Sequence, residues 1–166
     1  MVTAHRRESF GEPLYNICQA ILDTKVKFPE TQFVYPVHFN PNVRKVVNEI
    51  LGNQTDIFLI DPLDYQRLIW LMEKSTLVLT DSGGIQEEAP ALGKPVLVMR
   101  DVTERVEGVN AGTAKLVGTQ RAIIVDELSS MLTNRDGVYT AMSKAVNPYG
   151  DGTTSLKILS ILKQLI

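Results

Sequence analysis

The chain is poor in the residues that announce most special chemistries. It has one cysteine, Cys18, in 166 residues. A single thiol closes no internal disulfide, which excludes a disulfide-stapled scaffold and fits a reducing, cytoplasmic setting. No apolar run reaches the ~18 residues that span a bilayer, and no signal peptide is read ahead of the fold, so no membrane role is expected. Basic excess is absent too. The formal net charge is -2, which argues against a general nucleic-acid binder. Histidine, cysteine and carboxylates show no metal-ligand spacing, and no nucleophile–base pair is readable. The Gly-x-Gly-x-x-Gly that would follow a strand in a nicotinamide site is missing. No metal and no cofactor are therefore expected. Internal repeats and low-complexity stretches are absent as well.

What remains is an ordinary globular composition, 44% hydrophobic and 22% charged, in a length that suits one domain with a substantial core. Short apolar runs alternate with helical patterns. Val2-Thr3-Ala4 ends a first strand. Leu14, Ile17, Cys18, Ile21 and Leu22 then repeat at helical spacing behind Pro13. Gln32 to Val37 reads as a strand. Asn40 caps a helix that has Pro41 at its first position and an apolar face of Val43, Val46, Val47, Ile50 and Leu51. Ile57–Ile60, Leu77–Thr80, Val96–Met99 and Ala114–Val117 are further strands, with helices between and after them. The tail carries helical stretches around Val138–Ala145 and Thr154–Leu165, separated by the turn-rich Asn147-Pro148-Tyr149-Gly150-Asp151-Gly152. This alternation predicts an α/β fold: a Rossmann-like parallel sheet with helices on both faces. One domain is expected over residues 1–166, with 153–166 as a terminal helix. Met1 to His5 looks like the end of a strand without its lead-in, so a fragment or second domain of a longer protein is expected.

The chain is organised around Leu77-Val78-Leu79-Thr80-Asp81-Ser82-Gly83-Gly84-Ile85-Gln86-Glu87-Glu88. An apolar strand ends in a glycine-paired turn, and a helix follows. Ligands bind at the carboxyl ends of strands in such sheets. Gly83 and Gly84 have no Cβ, so a ligand can approach the backbone closely, and the free N–H groups of the helix start favour an anion. The candidate ligand at Ser82-Gly83-Gly84 carries phosphate. On turn chemistry alone, a tight turn that binds nothing fits equally well.

Other polar strand ends belong to the same edge. His5, flanked by Arg6 and Arg7, suits a phosphate or a developing negative charge. The first strand of such a sheet is central, which predicts that His5 and Ser82-Gly83-Gly84 share a crevice. Glu87 and Glu88 point about 100° apart on a helix, so one of them faces the crevice, where it would accept hydrogen bonds from sugar hydroxyls. Arg100 and Arg105 follow the next strand, among Glu104 and Glu107. An arginine there suits a diphosphate; a surface salt-bridge cluster is the competing reading. His38 marks a second polar site at the sheet edge.

Together these residues resemble a known family. Val2-Thr3-Ala4-His5-Arg6-Arg7-Glu8-Ser9-Phe10-Gly11 resembles the opening of the second domain of non-hydrolysing UDP-N-acetylglucosamine 2-epimerases. So do Tyr35-Pro36-Val37-His38-Phe39-Asn40-Pro41-Asn42-Val43-Arg44, Thr80 through Pro90, Gly93 through Asp101, Thr103-Glu104-Arg105 and Asn147 through Gly152. The resemblance covers essentially the whole chain. It implies a carboxyl-terminal, nucleotide-binding domain of a GT-B type two-domain fold. It implies that His5 contacts the diphosphate region, that Ser82, Gly83, Gly84 and Arg105 bind phosphates, and that Glu88 holds the ribose hydroxyls. Arg6 and His38 match an allosteric site in the cleft. Leu63 and Leu68 stand where some members have Gln and Phe, near the expected uracil pocket.

The implied reaction interconverts UDP-N-acetylglucosamine and UDP-N-acetylmannosamine. UDP is eliminated to a bound glycal, then added back after reprotonation on the other face, with no redox cofactor. The acid–base carboxylates come from the amino-terminal domain, so the expected partners are UDP or its sugar, that missing domain, and a second copy in a homodimeric enzyme. The product would serve cell-surface polysaccharide biosynthesis. Two alternatives are a donor-binding domain of a GT-B glycosyltransferase, against which the His5-Arg6-Arg7-Glu8 opening speaks, and a non-catalytic UDP-sugar sensor.

Overall fold

The computed structural model describes residues 1–164. Its strands are short and apolar, and every ladder is parallel. They are β1 (Val2–Thr3), β2 (Phe33–Pro36), β3 (Ile57–Ile60), β4 (Val78–Thr80), β5 (Val96–Val98) and β6 (Ala114–Leu116). Between and after them run α1 (Glu12–Lys27), α2 (Pro41–Leu51), α3 (Tyr65–Lys74), α4 (Gly83–Ala91), α5 (Val106–Asn110), α6 (Arg121–Thr133), α7 (Thr140–Ser143) and α8 (Thr154–Gln164). The terminal helix expected to reach residue 166 is thus described to Gln164; Leu165 and Ile166 lie outside the described residues. The tail stretch expected at Val138–Ala145 begins earlier, as a π-helical turn over Arg135–Tyr139 that leads into α7.

The sheet is Rossmann-like, but its ladder is broken. β1, β4, β5 and β6 form one hydrogen-bonded set and β2 with β3 another. β1 lies between the sets. It pairs with β4 through Val2–Leu79 and Thr3–Thr80, and on its other side Tyr35 Oη donates to the Ala4 carbonyl at 2.7 Å. The expectation of a central first strand is met. A single unbroken ladder is not, because two residues are too few to form regular pairs with both neighbours.

Two cores flank the sheet. One holds Val2, Leu79, Leu97 and Met99 beneath α1, α2 and α6. The other holds Met1, Val78, Val96 and Val98 beneath α3 and α4. Adjacent strand residues enter opposite cores, as the two-residue period requires, and burial on both faces is why β4 and β5 are wholly apolar. Local signals hold the helices in place. Asn40 Oδ1 accepts from Asn42 N at 2.9 Å ahead of Pro41, and Asp64 Oδ1 accepts from Arg67 N at 2.9 Å at the start of α3. α8 differs from the rest. None of its residues is buried, and Leu156, Ile158, Leu159, Ile161 and Leu162 are all exposed.

Candidate functional site

The carboxyl ends of β1, β2, β4 and β5 open onto one crevice, and a buried carboxylate organises it. Asp81 follows β4 and is fully buried. Its Oδ2 accepts the backbone N–H groups of His5 and Arg6, both at 2.8 Å, and the Ser9 hydroxyl at 3.3 Å. The loop after β1 is thereby fastened to the end of β4. Oδ1 has no hydrogen-bond partner among the described residues and lies 3.7 Å from His5 Nδ1. One strand over, His38 stacks on His5, with ring centroids 5.3 Å apart and planes 12° apart. Two histidines separated by 33 positions therefore form a single wall.

The start of α4 forms the floor. Ser82 is its N-cap residue, but its side chain makes no capping bond, and its N–H donates to Thr80 Oγ1 at 3.0 Å. Neither Gly83 nor Gly84 has a positive φ, so glycine is not required there by backbone conformation. The contacts a side chain on Gly83 would make are ordinary ones, but they show what surrounds it. A Cβ on it would sit 3.5 Å from Arg6 Nη2 and 3.6 Å from Arg105 Nη2. Two guanidinium groups from separate loops converge over a helix start, where the N–H groups and the dipole already favour an anion. A Cβ on Gly84 would meet no atom within 4 Å, so that position faces open crevice.

Arg105 is held from several sides. Its guanidinium pairs with Glu87. Its backbone N–H donates to Thr103 Oγ1 at 3.1 Å, and that hydroxyl donates to buried Gln86 Oε1 at 2.7 Å. Tyr149 Oη accepts from Gly108 N at 3.0 Å and donates to the Arg105 carbonyl at 3.3 Å. Burial pushes the Tyr149 phenol pKa upward, which keeps it a donor. Because Glu87 is engaged by Arg105, Glu88 is the carboxyl left without an ion pair among the described residues. Partial burial, with the Glu87 charge adding to it, raises its pKa.

Arg100, which follows the same strand as Arg105, does different work. It is buried, with Nε 2.7 Å from Glu8 and Nη1 2.9 Å from Glu104. That hydrogen-bonded pairing holds the Glu104 carboxyl down at about 2. The salt-bridge reading is correct for Arg100, which ties the β1 loop to the β5 loop. Leu68, on α3 itself, packs half-buried against the core, and Leu63 lines a separate cavity between α3 and the sheet.

The structure therefore brings His5, Arg6, His38, Ser82, Gly83, Gly84 and Arg105 together, with Glu88 on the first turns of α4. Asp81, Gln86, Thr103 and Tyr149 hold that arrangement and were not singled out from sequence. Asp81 had one signal, a carboxylate ending an apolar strand, but that also marks an ordinary turn. Among the described residues, no cluster of three or more His, Cys, Asp or Glu could hold a metal ion, and no helix is long and apolar enough to cross a membrane.

The fold and the polar strand-end crevice define a Rossmann-like α/β domain of the kind found as the second half of GT-B proteins. The crystallised carboxyl-terminal domain of a group 1 glycosyl transferase from Francisella tularensis shares this fold, with a TM-score of 0.65 at 16% identity over 93% of this chain and 82% of that one. The sequence narrows the class: residues 1–163 match the UDP-N-acetylglucosamine 2-epimerase family, and the chain belongs to it. It is 56% identical over 163 residues to UDP-N-acetylglucosamine 2-epimerase of Escherichia coli K12, covering 98% of this chain and 43% of that protein. The UDP-GlcNAc 2-epimerase of Neisseria meningitidis, crystallised bound to UDP-GlcNAc, superposes with a TM-score of 0.92 at 47% identity, over 98% of this chain and 44% of that one. The chain thus spans less than half the length of these relatives.

Proposed function

We propose that this chain is the UDP-binding half of a UDP-N-acetylglucosamine 2-epimerase. The observation that carries the reading is the convergence of Arg6 and Arg105 over Gly83 at the start of α4, with His5 alongside. That arrangement suits a diphosphate: two cations, a row of backbone N–H groups, and an imidazole that can donate a hydrogen bond or carry charge. Ser82, Gly83, Gly84 and Arg105 bind the phosphates, and His5 contacts the diphosphate, where negative charge develops as UDP departs. Glu88 accepts from the ribose hydroxyls. Arg6 and His38, which border the same crevice, also contribute to a regulatory site for a second nucleotide sugar. The Neisseria relative, which binds UDP-GlcNAc, supports this choice of ligand.

Inversion at C2 requires a base to remove the C2 proton as the C1–O bond to UDP breaks. An acid then reprotonates C2 on the opposite face before UDP adds back. The carboxylates for those steps lie in the amino-terminal half of the enzyme. The full-length enzyme is a cytoplasmic homodimer that supplies cell-surface polysaccharide synthesis. The 166-residue chain alone binds UDP weakly and does not turn over substrate.

Calorimetric titration tests this. UDP should give a heat of binding that uridine does not, and Ser82→Trp, which fills the turn, should abolish it. Equal binding of uridine and UDP would overturn the phosphate cradle. Epimerisation by the isolated chain would overturn the division of labour.

A further inference from the structure

The Asp81 carboxylate has one oxygen more than fastening the β1 loop uses. Oδ2 takes the His5 and Arg6 amides and the Ser9 hydroxyl. Oδ1 is buried, accepts from no described residue, and lies 3.7 Å from Nδ1 of the His5 ring. A buried carboxylate oxygen without a donor is costly, and the imidazole is the donor within reach. The separation is roughly 0.7 Å longer than an ordinary N–H···O bond. Hydrogen bonds to reacting groups are often long before a ligand binds and tighten in the complex.

The two stacked rings are set in opposite states. Which imidazole nitrogen carries the proton is fixed by the bond the other nitrogen makes. His38 Nδ1 accepts the Asn40 N–H at 3.1 Å, so the His38 proton sits on Nε2. His5 Nδ1 meets a carboxylate, which only accepts, so the His5 proton sits on Nδ1. Its Nε2 is the ring nitrogen turned away from that carboxylate, in a side chain that is 39% exposed. We infer that Asp81 is a positioning residue acting through His5: it holds the ring with Nδ1–H inward and stabilises the imidazolium that forms when a diphosphate takes Nε2–H. The pairing stands on the chain's own geometry; the ligand rests on the proposed UDP site. In the neutral Nδ1–H ring, Nε2 is a bare acceptor and repels a phosphate oxygen. Donation needs a second proton, taken from solvent, on Nε2. Arg6 and Arg105 at the start of α4 oppose that charge. His38, stacked on the ring, adds none while its Nδ1 accepts, and Asp81 offsets it. The diphosphate's own charge tips the balance, so the proton arrives with the ligand.

Nitrogen NMR of the histidine-labelled chain tests this, because the chain has two histidines and His38→Gln tells their signals apart. At about pH 8, where an ordinary histidine is neutral, His5 should show a protonated Nδ1 and a bare Nε2, and His38 the reverse. At about pH 7, UDP should shift His5 to the doubly protonated form. Asp81→Asn keeps an oxygen for the His5 and Arg6 amides but turns an NH2 toward Nδ1. His5 should then switch to Nε2–H, and UDP should bind several-fold more weakly and bring no proton. In a His5→Ala chain, Asp81→Asn should cost UDP affinity nothing further, since its effect runs through the ring. An equal loss in that background would make Asp81 a purely structural group and overturn the inference. So would Nε2–H on His5 in the unsubstituted chain, a measurement that stands even where Asp81→Asn fails to fold. A chain that holds Nδ1–H on His5 yet binds no UDP would instead overturn the proposed UDP site, and with it the ligand half of the inference.

Discussion

The two ends of the sheet are built by opposite means. At the carboxyl ends of β1 and β4, side chains bind backbone. Asp81 fastens the His5 loop, and Gln86, Thr103 and Tyr149 fasten the Arg105 loop. At the amino ends of the same strands lies a cavity of about 850 Å³, where apolar Trp70, Leu71, Leu128 and Leu132 stand beside Gln32, Arg67 and Arg135. A crevice held by directed bonds keeps its shape with a first strand of only two residues.

Lowering the pH should hurt the amino end first. The Met1 amine titrates at 8.0 when free and at about 5 when buried. Between those values the unfolded chain binds more protons, so stability is complete above pH 8, falls as pH drops toward 5, and levels off below that. The full loss is about 4 kcal/mol at 1.36 kcal/mol per pKa unit. Urea unfolding at pH 8.5, 7 and 5.5 measures it, and acetylating the terminus should flatten the profile. At the other end, Asp81→Ala strands the His5 and Arg6 amides. It should cost about 3 kcal/mol in urea unfolding and remove UDP binding.

Finer changes separate stability from binding at the crevice. Tyr149→Phe deletes the bond to the Arg105 carbonyl while keeping the ring. It should cost about 1 kcal/mol in stability and weaken UDP binding several-fold by calorimetry. Gly84→Ala adds a methyl that meets no protein atom. Stability should rise by about 0.5 kcal/mol from helix propensity while UDP affinity falls. A gain in both would show that the ligand does not approach that backbone.

Comparing residues that looked alike shows how much was legible in the sequence. Asn40-Pro41 read as a helix start because a cap acts through its immediate neighbours. The strands read correctly because burial on both faces leaves wholly apolar runs. Loop composition does not separate Arg100 from Arg105, and the family resemblance picks Arg105; the physical difference is Glu8, 92 positions from Arg100, closing over one guanidinium and not the other. Asp81 read as a turn residue because its partners lie more than seventy positions away.

By itself the sequence determined the α/β alternation, the helix caps, the polar strand-end loops and the family to which they belong. Each depends on short-range periodicity or on local backbone chemistry. Only the tertiary structure decided that Glu8 and Glu104 engage Arg100, that His5 and His38 share one wall, and that Asp81 holds the site. Those outcomes depend on which distant groups crossover connections bring within hydrogen-bonding or packing distance, and neighbouring residues do not encode that.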